Sequence, residues 1–183
     1  TEIYTLSLHD ALPISFFSPR IFEPILLSKV LNIEFEDIDA KYPIQEVSTG
    51  LPFVIVPVRN LKVIKQIRIN KERYDWFVQR IKAKCILAFT SETVLPENQM
   101  HVRVFADAFG IPEDAATGSG NGCLAAYLVK HKYQNKTEFD LKIEQGHEIN
   151  RPSLILAKAR QSNDAITVEI GGQVVIVAEG KLL

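Results

Sequence analysis

The sequence predicts an α+β domain in which a barrel-like sheet of mixed strands surrounds one apolar helix. The first observation is a series of short segments that alternate apolar and polar residues or are rich in β-branched residues, and that end at glycine or polar residues. The second is the segment 123–129, which is apolar on nearly all sides and contains small residues that let strands approach closely. A helix of this kind is expected inside a curved sheet.

In chain order, the first predicted elements are a helix, a strand and a second helix. Residues 24–31 carry apolar side chains on one helical face before an acidic stretch interrupts the pattern. Residues 50–57 form a short apolar run bounded by turn residues, which predicts a buried strand. Residues 71–83 repeat apolar side chains at helical spacing and predict an amphipathic helix, from whose apolar stripe Trp76 is excluded. The remaining strands are expected near residues 85–90, 101–106, 140–145, 153–160, 165–170 and 173–179.

Composition limits the function classes. The chain has 183 residues, 46% hydrophobic content and a formal net charge of −1, which suits a buried core and argues against nucleic acid as the main partner. Two cysteines do not make a disulfide framework, so a reducing cytoplasm is the expected compartment. Cys85 and Cys123 lie far apart in the sequence with no histidine at ligand spacing, so no metal site is predicted.

Residues 1–15 resemble the translation of a sequencing adapter and are predicted to be a non-native leader. We expect them to add no element to the sheet of the domain. Their apolar stretch is too short and too polar for a membrane span, and they carry neither a basic region nor a cleavage site typical of a secretory signal. No membrane partner is therefore expected.

The chemistry is predicted to lie in the segment 113–128, which reads Glu-Asp-Ala-Ala-Thr-Gly-Ser-Gly-Asn-Gly-Cys-Leu-Ala-Ala-Tyr-Leu. An acidic pair leads into a glycine-rich turn and then an apolar helix, so the first free N–H groups of that helix face a ligand that the backbone can approach closely. Asp114 and Ser119 flank the turn and would add a carboxylate and a hydroxyl. The alternative is an ordinary strand-to-helix connection in which Asp114 or Ser119 caps the helix.

Two phosphate-binding motifs do not fit this turn. A P-loop requires a lysine directly after its last glycine, but Cys123 follows Gly122 and the next lysine is Lys130. The dinucleotide fingerprint requires Gly-x-Gly-x-x-Gly, whereas this turn reads Gly-x-Gly-x-Gly. A small carboxylate is therefore the better candidate ligand.

Four stretches of the chain form a recognisable series. They are Val47-Ser-Thr-Gly-Leu-Pro52, Arg103-Val-Phe-Ala106 leading into Gly110-Ile-Pro-Glu-Asp-Ala-Ala-Thr-Gly-Ser119, Gln145-Gly146 with Arg151-Pro-Ser153, and Gly171-Gly-Gln-Val-Val with Glu179-Gly180. In this order they resemble the PhzF family of phenazine-biosynthesis-like isomerases, which share the diaminopimelate epimerase fold. The resemblance covers the chain from about residue 23 to its end.

This resemblance implies an enzyme of two similar domains, each a set of strands around one central helix, with the active site in the cleft between them. Only the second domain matches, so we expect a leader at 1–15, a connector and remnant of the first domain at 16–46, and the C-terminal domain at 47–183. In the family the catalytic glutamate belongs to the first half, near Gly-Asn-Pro and Gly-His segments that are not found before residue 47. Glu23 lacks such neighbours and is not assigned that role.

The implied activity is cofactor-independent proton transfer within a small unsaturated or amino carboxylic acid. Asp114 and Ser119 would be the catalytic residues: Asp114 would orient a polar substrate group, while Ser119 and the neighbouring N–H groups would bind a carboxylate and stabilise developing charge. The expected substrate-binding residues are Thr117, Gly118, Gly120 and Asn121. Residues 145–146 and 151–153 are expected to form a β-turn followed by an ion-paired arginine, and the alternative is direct contact with the substrate.

The epimerase branch of the same fold uses two thiols, one of them directly before a Gly-Thr-Gly turn. Here the matching residue is Thr117, whose hydroxyl is far too weak an acid to replace a thiol at neutral pH. Cys123 is instead expected to pack in the core. Isomerisation with a single carboxylate is therefore preferred over two-thiol racemisation.

Without the half that carries the base, the chain is expected to be inactive on its own. The alternative function is a non-catalytic module that binds small carboxylates or another protein. The expected partners are a small carboxylate and, through an apolar cleft wall near residues 112–121, a second copy in a possible homodimer. No cofactor is expected.

Overall fold

The computed structural model of the chain describes residues 3–7, 15–162 and 165–173. Its strands are β1 (Ile3–Ser7), β2 (Phe16–Phe22), β3 (Ile44–Ser48), β4 (Pro52–Pro57), β5 (Cys85–Thr90), β6 (Met100–Ala106), β7 (Ile111–Asp114), β8 (Glu138–Gln145), β9 (Ser153–Ser162) and β10 (Ala165–Gln173). Its α-helices are α1 (Pro24–Leu31), α2 (Leu61–Gln66), α3 (Lys71–Val78) and α4 (Gly118–Lys130).

Within these ranges the strands form one mixed sheet. Its order is β1-β10-β9-β8-β6-β5-β4-β3-β2, and β7 pairs with β6 beside this path. The pairs β4–β5 and β6–β8 are parallel, and the other pairs are antiparallel. Helix α4 contacts β9 and β10 as well as β3 and β4. Because these strands lie far apart in the sheet order, the sheet curves around α4.

Two apolar cores lie on opposite faces of the sheet. Strand β5 shows the division most clearly: Leu87 and Phe89 pack in the core that contains α4, whereas Ile86 and Ala88 pack in the core beneath α1, α2 and α3. A strand covered on both faces needs apolar residues at every position, which explains why β5 is a continuous apolar run. Helix α4 is buried from Gly120 to Val129 because the sheet surrounds it, so its apolar residues also extend around the whole helix.

The helix predicted over residues 71–83 forms but ends earlier, at Val78. The ammonium group of Lys84 donates to the carbonyl oxygens of Val78 and Ile81. In a continuing helix the Val78 carbonyl would accept the N–H group four residues later, so Lys84 takes over that acceptor and the chain turns. Trp76 is 49% exposed, as its place outside the apolar stripe predicts.

The expectation that residues 1–15 add no element to the sheet is wrong for β1. Residues 3–7 pair antiparallel with β10, from Ile3 opposite Gln173 to Ser7 opposite Glu169. This segment is rich in residues that favour an extended chain, and β10 offers it an unpaired edge. The strand predicted at 173–179 lies outside the described residues beyond residue 173. Among the described residues, no helix is long and apolar enough to cross a membrane.

Candidate functional site

The candidate site lies at the N-terminal end of α4, close to the end of β7. Thr117 is the N-cap residue, and its side chain makes no capping hydrogen bond. The first N–H groups of a helix have no partner inside the helix, and Gly118 and Ser119 are exposed here. An anion can therefore reach these N–H groups at the positive end of the helix dipole.

Asp114 stands beside this helix end and is partly buried. Its Oδ2 accepts a hydrogen bond of 2.6 Å from the Thr117 hydroxyl. Among the described residues no donor reaches Asp114 Oδ1, so this oxygen is able to accept a hydrogen bond from a ligand. The alternative in which Asp114 or Ser119 caps α4 is not observed, because Asp114 binds a hydroxyl group and the N-cap residue is Thr117.

The first turn of α4 is held in place by close contact at Gly120. A Cβ atom at this position would lie 3.0 Å from Phe53 Cε1 and 3.3 Å from Leu87 Cδ1. At Gly118 the nearest such contact is Ile170 Cγ2 at 3.7 Å. Gly120 therefore packs the helix against β4 and β5, whereas a side chain at Gly118 would make only an ordinary contact.

Asn121 is fully buried below the same turn. Its Nδ2 donates to the Thr117 carbonyl at 2.9 Å and to Gln145 Oε1 at 2.8 Å. Its Oδ1 is buried and has no partner among the described residues. The amide thus supports the N-cap, and its contact with a substrate stays a prediction.

The segment 145–153 supports the site from outside. Gly146 has a φ of +82°, and the Ser153 hydroxyl donates to the Ala115 carbonyl at 2.6 Å. The Asn150 N–H group donates to the His147 carbonyl at 3.2 Å, the bond of a β-turn, and the Arg151 N–H group closes the loop on the Gly146 carbonyl at 2.9 Å. The predicted turn is therefore present, whereas the expected ion pair of Arg151 is not found among the described residues.

The two cysteine thiols near the site are not prepared to act as bases. Thr49 Oγ1 lies 3.5 Å from Cys123 Sγ, and Cys123 is fully buried, as predicted for a core residue. Burial raises the pKa of Cys85 to about 11 and that of Cys123 to about 11. Both thiols are therefore protonated at neutral pH, so neither is prepared to remove a proton.

A buried ion pair fixes the strand that carries Asp114, and the sequence interpretation missed it. Arg103 on β6 donates from Nε and Nη2 to the two carboxylate oxygens of Glu113, at 2.9 and 2.7 Å. Its Nη1 also binds the carbonyl oxygens of Ile64 and Ile67 at the end of α2. The feature of the sequence that could have revealed this ion pair is the alternation of charged and apolar residues along β6, which predicts a polar cluster on one face of the strand.

The same face of β6 carries His101, which is fully buried between two carboxylates. Its Nδ1 lies 2.6 Å from Glu144 Oε1 and its Nε2 lies 3.0 Å from Glu148 Oε1. Burial alone would lower the pKa of His101, but the hydrogen bonds and charges of the two glutamates outweigh burial and raise it. Burial would also raise the pKa of both carboxyls, yet their hydrogen bonds lower it.

This cluster predicts a defined pH dependence of stability. The contribution of the charged His101 ring should be complete below pH 6.5 and lost as the pH rises through its raised pKa. The carboxyl contributions should be complete above about pH 4.3 and lost as the pH falls through their lowered pKa values. His101→Gln should therefore cost about 3 kcal/mol near pH 6, and less at higher pH. Thermal melts between pH 5 and 9 measure this difference.

His131→Gln is the matched control, because burial followed by the charge of Lys130 lowers the pKa of His131. Its neutral ring contributes stability above pH 6.5, and this contribution is lost as the pH falls through the lowered pKa. The penalties of the two substitutions should therefore change with pH in opposite directions. Penalties that stay constant across the range would contradict the assignment of charge to His101.

No group of histidine, cysteine, aspartate or glutamate side chains in the described ranges is arranged to hold a metal ion. Two surface cavities, of about 590 and 630 Å³, lie away from α4. One is lined by charged residues of β8, β9 and β10, and the other lies near Arg59. Neither cavity is lined by a residue of α4.

Comparison with known proteins identifies the family. The sequence profile of the PhzC-PhzF family, described as phenazine biosynthesis-like protein, matches residues 17–180. The chain belongs to this PhzF family. An uncharacterized isomerase of Clostridium acetobutylicum is 35% identical over 161 residues, which cover 86% of this chain and 53% of that protein. A trans-2,3-dihydro-3-hydroxyanthranilate isomerase of Pseudomonas chlororaphis is 44% identical over 84 residues, covering 44% of this chain and 29% of the relative.

Solved structures confirm the predicted fold class. A PhzF-family phenazine biosynthesis protein of Bacillus anthracis superposes with a TM-score of 0.81 at 27% identity, over 99% of this chain and 60% of its own. A predicted epimerase of Pseudomonas aeruginosa gives a TM-score of 0.74 at 23% identity, over 99% and 58% of the two chains, and supports the fold alone. The matches to the curated isomerases of Clostridium acetobutylicum and Bacillus subtilis include most of this chain. The chain spans about half the length of those relatives.

Proposed function

We propose that this domain supplies the carboxylate-binding wall of a cofactor-independent isomerase that moves a proton within a small carboxylic acid. The observation that carries the proposal is the pairing of an exposed helix N-terminus with the free Oδ1 of Asp114. The helix N-terminus binds negative charge, and Asp114 Oδ1 accepts a hydrogen bond. A ligand that contacts both must carry a carboxylate and a donor a few atoms away.

The residues then take distinct roles. The N–H groups of residues 118–120 and the Ser119 hydroxyl bind the substrate carboxylate and stabilise the charge that develops on it during proton transfer. Asp114 accepts from an amine or hydroxyl of the substrate and fixes its orientation. The Pseudomonas relatives are named for a substrate that carries carboxylate, amino and hydroxyl groups, which supports this pairing of contacts.

Family membership supports an isomerase, and the state of the thiols favours one mechanism within it. Two-thiol racemisation needs a thiolate on one side of the substrate. Thr117 stands where the epimerase branch has its cysteine, and the raised pKa values of Cys85 and Cys123 keep both thiols protonated. The base is therefore proposed to be a carboxylate in the half of the family that this chain does not match. The whole protein is proposed to be cytoplasmic and to need no cofactor.

The 183-residue chain alone is expected to show no isomerase turnover. A positioned proton-transfer group supplies about 10²–10⁴-fold in rate, and the resemblance assigns that group to the half of the family that this chain does not match. We would assay trans-2,3-dihydro-3-hydroxyanthranilate and related amino acids with the chain alone and with the chain fused to the first half of the Clostridium relative.

The outcomes separate the candidate functions. Turnover by the fusion and none by the chain alone supports the proposed isomerase. Turnover by the isolated chain contradicts the assignment of the base to the other half. Carboxylate binding without turnover by either protein favours the alternative, a non-catalytic binding module.

Self-association is a further expectation of this proposal. Leu51, between β3 and β4, and Ile111, the first residue of β7, are 39% and 45% exposed. Apolar side chains beside a binding site are typical of a surface that meets another protein surface. Sedimentation of the chain at increasing concentration is expected to show a dimer, and a monomer at all concentrations would contradict this expectation.

A further inference from the structure

The side chain of Gln145 is fully buried, and its hydrogen bonds all go to the segment that carries the proposed site. Its Oε1 accepts from the Thr117 N–H at 3.3 Å and from Asn121 Nδ2 at 2.8 Å. Its Nε2 donates to the Asp114 carbonyl at 2.7 Å and to Thr117 Oγ1 at 2.9 Å. A primary amide has two N–H donors and two acceptor positions, and all four are used here.

These bonds fix the direction of a short hydrogen-bond chain. Because Thr117 Oγ1 accepts a hydrogen bond from Gln145 Nε2, the Thr117 hydroxyl directs its own hydrogen to Asp114 Oδ2, 2.6 Å away. The second carboxylate oxygen of Asp114 then stays turned away from this chain and remains an acceptor. The same amide holds the N-cap residue of α4 through the Thr117 N–H.

We propose that Gln145 is a positioning residue of the site, acting through Thr117 on both Asp114 and the N-terminus of α4. Being fully buried, it does not touch the substrate. The consequence for substrate binding rests on the function proposed above, whereas the effect on Thr117 and Asp114 does not. Gln145 belongs to β8, which pairs with β6 and β9, so the site is anchored to the rigid sheet.

Two substitutions separate the functions of the amide. Gln145→Met has a similar length and removes all four hydrogen bonds without adding a charge. Gln145→Glu keeps both acceptors but replaces the Nε2 donor. The matched control is Gln45→Met at the opposite end of α4, where a buried glutamine donates to the Ser18 carbonyl at 2.6 Å and accepts from His131 at 2.8 Å.

Amide hydrogen exchange and NMR of the whole chain provide the test. In Gln145→Met, exchange at Thr117 should rise at least about tenfold relative to the β6 amide of Val104, and Gln45→Met should leave this ratio unchanged. In Gln145→Glu, the Thr117 amide should stay protected while the carboxyl carbon resonance of Asp114 shifts. If the methionine variant does not fold, the glutamate variant decides alone.

The proposal is overturned if Thr117 exchange and the Asp114 resonance match wild type in both Gln145 variants, or if Gln45→Met produces the same changes. A titration with acetate tests the function separately. Acetate affinity should fall at least about tenfold in Gln145→Met, because that variant no longer holds the Thr117 N–H group at the N-terminus of α4. If wild type itself binds no acetate, the proposed function fails, but the exchange rates and the carboxyl resonance still decide the role of Gln145.

Discussion

Asp114→Asn is expected to lower kcat/KM by roughly 10 to 150-fold in an enzyme that joins this domain to its partner half. Asparagine keeps the shape of the side chain and still accepts from the Thr117 hydroxyl, but it removes the charge that strengthens the bond to a substrate donor. A charge-assisted hydrogen bond contributes about 1.5–3 kcal/mol, which corresponds to that loss of rate. The melting temperature should barely change.

Asp140→Asn is the control for this prediction. The Asp140 side chain is 73% exposed and pairs with Lys158 at 3.1 Å on the outer surface of β8, away from α4. Both kcat/KM and Tm should match wild type in this variant. If Asp114→Asn also matches wild type in both measurements, Asp114 does not contact the substrate and its bond to Thr117 is only structural.

Gly146→Ala is expected to cause the largest loss of stability among the glycine substitutions. The position has a φ of +82°, and a Cβ atom would lie 2.3 Å from the Arg151 carbonyl oxygen and 2.9 Å from the Ala115 carbonyl oxygen. Backbone must move on both sides, so we expect a cost of at least about 3 kcal/mol. For a chain of this size that cost lowers Tm by roughly 6–12 °C.

Gly110→Ala separates backbone strain from steric overlap. Gly110 has a similar φ of +76°, but a Cβ atom there would meet nothing within 4 Å. This variant should lose only about 1 kcal/mol, the ordinary cost of a left-handed conformation for alanine. The free energy of unfolding of both variants is measured by thermal or urea unfolding. Equal losses would show that steric overlap at Gly146 adds nothing to the cost of backbone strain.

Local patterns predicted most of the elements, but they did not predict β2, β3, β7 or α2. The glycine turn after Asp114 and the apolar segment that follows contain enough information to place a helix N-terminus beside a carboxylate. The buried strand at residues 50–57 was likewise evident, because a strand covered on both faces is apolar at successive positions.

The supporting interactions could not be predicted, because they join residues that are distant in the sequence. Gln145 lies 28 residues from Thr117, and His101 lies 43 residues from Glu144. The contact between His101 and Glu144 depends on the register between β6 and β8, which is set by the whole sheet. The strand β1 was missed for a different reason: its origin was inferred from its resemblance to an adapter, whereas pairing depends only on its residues and on the free edge of β10.

The central claim is that the N-terminus of α4 binds a small carboxylate. We would titrate the isotopically labelled chain with acetate and follow every backbone amide resonance by NMR. The account predicts saturable shifts that are largest at Gly118, Ser119 and Gly120. Shifts that do not saturate, or that are largest in another part of the chain, would contradict it.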